Sequence, residues 1–546
     1  MDTNLLAELL YPNIKTLPED IEARYPKRNL PEGAKVTRLA PSPTGFLHIG
    51  NLYGALTDER LAHTSGGVFY LRIEDTDAKR TVPNGIAIII ETLAKLGVNF
   101  DEGAVIDGDK GDYGPYRQSD RAEIYQTYAK QLIREGKAYP CFCTEQELEA
   151  IRTKQEENKL TTGYYGEFAI WRDAPMDKIQ EKLNEGVPFV LRFRSEGSVN
   201  NKFKFNDQIK GDIDVTENDI DHVILKSDGI PTYHFAHAVD DHLMGTTHVV
   251  RDESWLSTLP FHIQLFKALG FKMPKYCHTA QALKLDNGNK RKISKRKDPE
   301  FGLAYYHAQG YPVSAVREYL LTMLNSNFEE WRLANPDLPL EDFKFTTKKM
   351  SVSGFLFDLD KLNDISKNVI SRMTADEVYD FTLAWAKEND EPFAKLLESN
   401  REYAVRILSI GRGGKKPRKD IALWSEVKNY VSFFYDELFE RIDSIPENFD
   451  KNDVYAVLES FKNSYDENAE QSEWLNNIKV IAENNGFCPD MKQYKADPDA
   501  FKGSVADVSM FLRIAVTGRM NSPDLYEVMQ ILGREKVIGR VFDFKE

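Results

Sequence analysis

Residues 36–77, VTRLAPSPTGFLHIGNLYGALTDERLAHTSGGVFYLRIEDTD, decide the fold of this chain. Val36–Ala40 is apolar enough for a short strand. Pro41-Ser42-Pro43-Thr44-Gly45 continues neither regular structure, because two prolines fix φ and remove donors while the glycine frees the turn. From His48 the spacing turns helical, with Leu52, Leu56 and Leu61 among polar residues, and Gly66-Gly67 supplies a C-terminal stop. Phe69–Ile73 is β-prone and predicts a second strand. Strand, tight loop, helix and strand make a βαβ unit, and a right-handed crossover sets the strands parallel. Ligands of such sheets sit at the carboxyl ends of the strands, where helix N-termini present unpaired N–H groups. His48-Ile49-Gly50 falls at that place. The helix dipole favours an anion, Gly50 leaves room for a base or ribose, and His48 adds a donor for phosphate oxygens. These three residues alone also fit an ordinary helix start.

Working outward, 546 residues are too many for one core and predict roughly three to four domains. No apolar run reaches the ~18 residues of a membrane span. The N-terminus lacks the basic region and apolar core of a secretory signal. Four cysteines in this length make no disulfide framework, and a cytoplasmic location follows as the expectation. The net charge of −15 does not exclude a nucleic-acid partner, because phosphate affinity depends on local Lys/Arg clusters rather than on the sum.

The full pattern from Arg38 to Gly50, R-x-A-P-S-P-T-G-x-x-H-I-G, followed by R-I-E-D-T-D at Arg72–Asp77, resembles the signature of class I aminoacyl-tRNA synthetases, specifically the glutamyl-tRNA synthetases. Asn51 stands where the general motif ends in a second histidine, a position that is loose in the glutamyl subgroup. The resemblance continues through Gly114–Ser119 and through Asp240–Leu256, DDHLMGTTHVVRDESWL. It implies an α/β architecture: a Rossmann-like nucleotide-binding fold, an inserted α+β acceptor-binding module and an all-helical C-terminal anticodon-binding domain. The boundaries read as an N-terminal extension over 1–35, the catalytic halves at 36–119 and 234–273, and the insertion at 120–233. The lysine loop and connecting domain follow at 274–372, then the helical domain at 373–546. Within these, helical spacing is read over 85–96, 122–135, 145–159, 403–410, 424–441 and 478–485, and 101–118 is read as loop.

The run Lys290–Lys297 is either a solvated face or a phosphate-binding element. Lys292-Ile293-Ser294-Lys295-Arg296 resembles the family's mobile lysine loop. Attack of a carboxylate on the α-phosphorus of ATP expels pyrophosphate, so negative charge builds on the leaving oxygens, and ammonium groups on one loop can stabilise it. The resemblance accordingly implies His48, Lys292 and Lys295 as catalytic, with His48, Gly50, Asn51, Lys292, Ser294 and Lys295 around ATP and its Mg2+. Lys349-Met350-Ser351-Val352-Ser353 looks similar, but its fourth position is an uncharged valine, and it is set aside.

Glutamate brings two carboxylates and an ammonium. A bidentate arginine suits the side-chain carboxylate and disfavours the neutral amide of glutamine. By resemblance, Arg38 and Arg251 clamp carboxylates, Glu74 holds the ammonium, and Ala40, Ser42, Tyr233, His237 and Trp255 align with pocket positions. His237 stands where the family more often has asparagine. His234, His237, His242 and His248 with Asp240 and Asp241 follow no known metal-ligand pattern, and adjacent strand residues would face opposite ways. Cys141-Phe142-Cys143 resembles half of a zinc site found in some relatives; the second pair is missing, since Phe168 and Ile170 occupy its region, and no structural zinc is expected. Arg412, Lys415, Lys416, Arg418 and Lys419 form the most basic tract of the C-terminal half, which is either a solvated loop or, as expected here, a contact to the tRNA backbone.

The implied reaction is ligation of L-glutamate to tRNA(Glu) with ATP, by a monomer without membrane attachment. Alternatives are an enzyme that also charges tRNA(Gln) and a catalytically inactive tRNA-binding paralogue; intact His48, Lys292 and Lys295 oppose the latter. The short relative that modifies a tRNA base lacks a C-terminal region of this length. A glutaminyl-tRNA synthetase would be β-rich there.

Overall fold

Val36–Leu39 forms strand β1 and Val68–Leu71 forms β2, paired in parallel with Val36 opposite Val68. The helix Ile49–His63 crosses between them. Every β1 residue is buried, as expected of a parallel strand covered on both faces. The helix stops where Gly66 takes a φ of +68° and the Gly67 N–H returns to the Ala62 carbonyl at 2.9 Å. The structure, a computed structural model, describes residues 2–43, 45–77, 81–294 and 297–545.

The stretch 101–118, read above as loop, contributes strands. Glu102–Val105 (β3) adds to β2 in parallel and returns through Gly108–Lys110 (β4). An added Cβ at Gly103 would lie 2.4 Å from the Leu71 carbonyl oxygen, so glycine permits this approach. Tertiary pairing, not intrinsic propensity, makes β3 a strand.

The insertion carries β5 (Ala138–Cys141), β6 (Val190–Phe193), the hairpin β7–β8 (Lys202–Asp207 and Gly211–Thr216) and β9 (Val223–Leu225). The order β5-β6-β9 is antiparallel. Buried Asp221 ties it together, accepting from Tyr139 Oη at 2.6 Å, Arg172 at 2.6 Å and the Ser195 N–H at 2.8 Å. Cys141 and Cys143 lie at the end of β5, with Cys143 Sγ 3.5 Å from Tyr164 Oη.

The chain then returns through the helix Tyr233–Leu243, β10 (His248–Asp252), the helix Leu259–Ala268 and β11 (Lys275–Thr279), which pairs with β10 in parallel. His234 to Asp241 therefore lie on a helix, correcting the strand geometry assumed for them. The Thr247 N–H bonds the Val36 carbonyl at 2.9 Å and brings β10 alongside β1. β12 (Ala282–Asp286) and β13 (Asn289–Lys292) form a hairpin, joined by Phe355–Leu356 (β14).

The leucine-rich N-terminus is the helix Thr3–Leu10, with Leu6 and Leu10 buried and Leu5 exposed. Lys130 anchors this segment through Glu8 at 2.9 Å and the Tyr11 and Ile14 carbonyls at 2.9 and 2.8 Å. Lys130 and Arg134 pull the Glu8 carboxyl down to about 2.

Two compact units emerge: Met1–His307 with Arg317–Asp358, and Ala308–Val316 with Leu359–Glu546. The second is helical, its core built from residues such as Val427, Phe434, Val457, Phe461, Ile478, Phe511 and Val528. The helix expected over 424–441 stops at Val431. Val431, Phe433, Phe434 and Tyr435 are all buried, and four of five successive residues cannot share one helical face.

Candidate active site

Two buried carboxylates set the geometry beneath the cleft. Asp240 and Asp241, on the helix Tyr233–Leu243, are sealed from solvent. Asp240 accepts from Gln118 Nε2 at 2.9 Å, Arg121 Nε at 2.8 Å and Tyr125 Oη at 2.8 Å. Asp241 Oδ1 accepts from Arg38 Nε at 3.0 Å and from Arg72 NH1 at 2.7 Å. Burial alone would raise the Asp241 carboxyl, but Arg38 and Arg72 hold it well below the usual carboxylate range. The sequence reading left out these structural roles of Arg72, Asp240 and Asp241. The available signal was the Asp240-Asp241 pair directly after the apolar Ala238-Val239, because buried carboxylates require partners.

On this base lies a cleft of 390 Å³. Arg38 and Ala40 reach it from β1 and its end, His48, Gly50 and Asn51 from the helix start, and Glu74 from beyond β2. Tyr233, Arg251 and Trp255 form another part of the lining, and Lys292 enters from β13. His48 begins its helix in extended conformation, and its N–H donates to Asn51 Oδ1 at 2.9 Å. This pairing satisfies the first backbone donor and leaves Asn51 structural as well as cleft-lining. The His48 ring stacks on Phe301 with centroids 4.5 Å apart, and the Leu303 N–H bonds the Leu47 carbonyl at 3.1 Å. The His48 helix start is thus attached to the segment 301–303.

Arg72 NH2 donates to Glu74 Oε1 at 3.1 Å. Burial pushes the Glu74 carboxyl up to about 7, although Arg72 and Arg38 pull it down. Burial likewise holds Asp58, another cleft residue, well above the carboxylate range. Tyr233 and Trp255 pack with ring centroids 4.4 Å apart.

His237, Ser42 and Ser294 do not line the cleft. The His237 side chain is fully buried, with Nε2 2.8 Å from Tyr276 Oη and Nδ1 2.6 Å from Asp241 Oδ2. It stacks behind Tyr233 at 5.8 Å, and burial lowers its pKa to about 3. Ser294 donates its N–H to Asp298 Oδ2 at 2.9 Å instead. Lys295 lies outside the described residues.

The base of the lysine loop is clamped. Arg291 NH1 and NH2 each reach one Asp298 oxygen at 2.7 Å, and Arg291 Nε reaches Asp286 at 2.7 Å. The Arg291 guanidinium holds the Asp298 carboxyl well below its usual range. Residues 349–353 do not line the cleft; Ser351 Oγ donates to the Gly354 carbonyl at 2.8 Å.

The basic tract divides. Lys415, Lys416, Arg418 and Lys419 are exposed. Arg412 bonds the Leu408 carbonyl through Nε at 2.7 Å and the Ile370 carbonyl through NH1 at 2.6 Å, so it buttresses helix ends. Arg418 pairs with Asp420. Among the described residues, no group of three or more His, Cys, Asp or Glu side chains is arranged to hold a metal ion.

Residues 35–364 match the family described as tRNA synthetases class I (E and Q), catalytic domain, and residues 418–544 match an anticodon binding domain. The chain is 53% identical over 542 residues to the glutamate–tRNA ligase of Acetivibrio thermocellus, covering 99% of each. It is 48% identical over 541 residues to a glutamate–tRNA ligase of Clostridium perfringens, covering 98% of this chain and 99% of the relative. A solved glutamate tRNA ligase from Elizabethkingia meningosepticum, in complex with its amino acid, superposes with a TM-score of 0.73 at 28% identity. That similarity covers 93% of this chain and 98% of the other.

Proposed function

The chain belongs to the class I glutamyl-tRNA synthetases, the glutamate–tRNA ligases, and from that premise we propose how its cleft divides the reaction. ATP lies with its phosphates toward His48, Gly50 and Asn51, where the helix N-terminus favours negative charge. Lys292 and Lys295 follow the pyrophosphate. Ser294 acts through the backbone bond that shapes the loop. Glutamate occupies the remainder, its carboxylates toward Arg38 and Arg251 and its ammonium toward Glu74, with Ala40, Tyr233 and Trp255 as walls. Ser42 is a further proposed glutamate contact, and His237 backs Tyr233, with ring centroids 5.8 Å apart.

A carboxylate oxygen of glutamate attacks the α-phosphorus, the bond to the bridging oxygen breaks, and pyrophosphate leaves with the electron pair. The terminal ribose hydroxyl of tRNA(Glu) then attacks the acyl carbon, losing its proton, and AMP departs. No side chain forms a covalent intermediate; positioning and charge stabilisation carry the rate. In this reading Mg2+ accompanies the ATP phosphates, and no step is routed through a protein-held ion. A cytoplasmic location accords with four cysteines outside any disulfide, and a monomer is the expected assembly, to be read by sedimentation.

The observation that carries this reading is the meeting of Arg38, Arg251 and Glu74 with His48 and Lys292 in one cleft. Pyrophosphate exchange into ATP, measured with tRNA(Glu) present, is expected with glutamate. Exchange supported by glutamine and not by glutamate would overturn the pocket assignment.

A further inference from the structure

Arg251 is held differently from its neighbours. Its Nε donates to His278 Nε2 at 2.9 Å, and its NH1 lies 2.9 Å from His262 Nδ1. Its guanidinium carbon stands 4.6 Å from the centroid of the Tyr276 ring, a cation–π distance. Tyr276 is itself fixed by His237 Nε2 at 2.8 Å. His262, His278 and Tyr276 are fully buried, and the remaining Arg251 nitrogen, NH2, is buried with no hydrogen-bond partner among the described residues.

A guanidinium has donors and no acceptor, and it stays protonated in folded proteins. Both facing imidazole nitrogens, His278 Nε2 and His262 Nδ1, must therefore be bare lone pairs. That assigns the other protons. His278 keeps its proton on Nδ1, which lies 2.7 Å from Asp207 Oδ2. His262 keeps its proton on Nε2, 2.8 Å from His234 Nδ1. Asp207–His278–Arg251–His262–His234 is thus a chain in which each hydrogen bond has one possible direction. Burial lowers His262 well below the ordinary imidazole range and also lowers His278, against the pull of Asp207. Two neutral rings are what the donor count demands.

The electrostatic contrast is with Arg38 and Arg72, which share the Asp241 carboxylate. Among the described residues, no carboxylate lies within ion-pair distance of Arg251; Asp207 acts on it only through His278. Neutral acceptors orient the guanidinium without cancelling its charge. A buried cation with an unsatisfied donor gains more from a carboxylate than from a carboxamide, which brings no charge and presents its own N–H donors.

We propose that Asp207, His278, His262 and His234 are positioning residues for Arg251, and that by holding it with neutral acceptors they set the preference for a side-chain carboxylate over a carboxamide. This rests on the placement of glutamate against Arg251 in the proposed function.

The test compares His262→Leu with His262→Gln, whose amide oxygen can replace Nδ1 as acceptor. His262→Leu is expected to raise the KM for glutamate by about ten- to a hundredfold, the range for a lost hydrogen bond to a charged group, with a smaller change in kcat. It should also lower the ratio of kcat/KM for glutamate over glutamine, leave the KM for ATP unchanged, and be rescued by His262→Gln. An unchanged glutamate KM and an unchanged ratio in folded His262→Leu overturn the proposal. Should that variant not fold, nitrogen-15 spectra of the histidine-labelled parent protein decide. Unprotonated His262 Nδ1 and His278 Nε2 at neutral pH support the chain, and a proton on either nitrogen overturns it. A parent enzyme without glutamate-dependent exchange would instead defeat the functional reading, while the nitrogen assignment still judges the network.

Discussion

At Glu74, burial opposes the charge that the proposed ammonium contact needs. Its carboxyl is pushed up to about 7 by burial, with Arg72 and Arg38 acting in the opposite direction. Below that pH the empty site holds a neutral acid, which cannot attract an ammonium group. The KM for glutamate should therefore rise as pH falls through about 7, while the KM for ATP holds, and Glu74→Gln should raise the KM and remove this dependence. A glutamate KM flat with pH in the parent enzyme would contradict the role. For the empty protein the sign runs the other way. A folded pKa of about 7 against an ordinary 4.5 means that stability present below 4.5 is lost as pH rises through 7. The bound ammonium relieves that cost. Lys292 gives a second prediction at this scale. Lys292→Ala should slow adenylate formation on the order of 10²-fold while leaving tRNA affinity nearly intact, because the missing charge acts mainly in the transition state. Single-turnover adenylate formation beside a tRNA-binding isotherm separates these effects, and parental turnover would refute the role. Lys295→Ala carries the same expectation.

Between β13 and the helix that follows Gly302, the element that matters is the clamped lysine loop. The Arg291–Asp298 fork fixes its base, and the Ser294 N–H shares the same carboxylate. Lys292 follows Arg291 directly, so a loosened base misplaces the ammonium group. Asp298→Asn keeps the shape but weakens the charge-assisted pair. Pyrophosphate exchange should fall about tenfold in kcat, with the KM for glutamate unchanged, since misplacing a catalytic group is costly even without losing it. A kcat equal to the parent's would make the fork a purely structural contact. The other elements show where local pattern sufficed. The helix Ile49–His63 begins and ends at its expected signals, because capping and glycine stops act within one turn. β3 was hidden, because its strand character comes from pairing with β2 across Gly103.

For the molecule as a whole, a net charge of −15 makes the exposed cations of residues 415–419 conspicuous. We propose that Lys415, Lys416, Arg418 and Lys419 contact the tRNA backbone within the helical unit. Replacing Lys415 and Lys416 by alanine should weaken tRNA(Glu) and flatten the log–log salt dependence by roughly one to two units, with glutamate activation at saturating tRNA unchanged. Filter binding across a salt series reads this directly; an unaltered slope would leave the tract a solvated loop. Arg412 belongs to a different class. Arg412→Ala should lower the stability of the helical unit by about 1–3 kcal/mol, the cost of leaving carbonyls unsatisfied, as read by denaturant unfolding.

By itself, the sequence determined what neighbours within a few residues determine: the βαβ start, the helix terminus at His48, the motif strings and the helical character of the C-terminal half. These follow from φ restrictions, capping and apolar spacing, all local in the chain. Only the tertiary structure decided how the site is held. Arg38 and Asp241 meet across 203 positions, and Arg251 and His278 across 27. His237, aligned by motif with the substrate contacts, is fully buried, with Nε2 against Tyr276 Oη and Nδ1 beside the Asp241 carboxylate. Buried charges and donors must find partners wherever packing brings them, and that compensation leaves no periodicity along the chain.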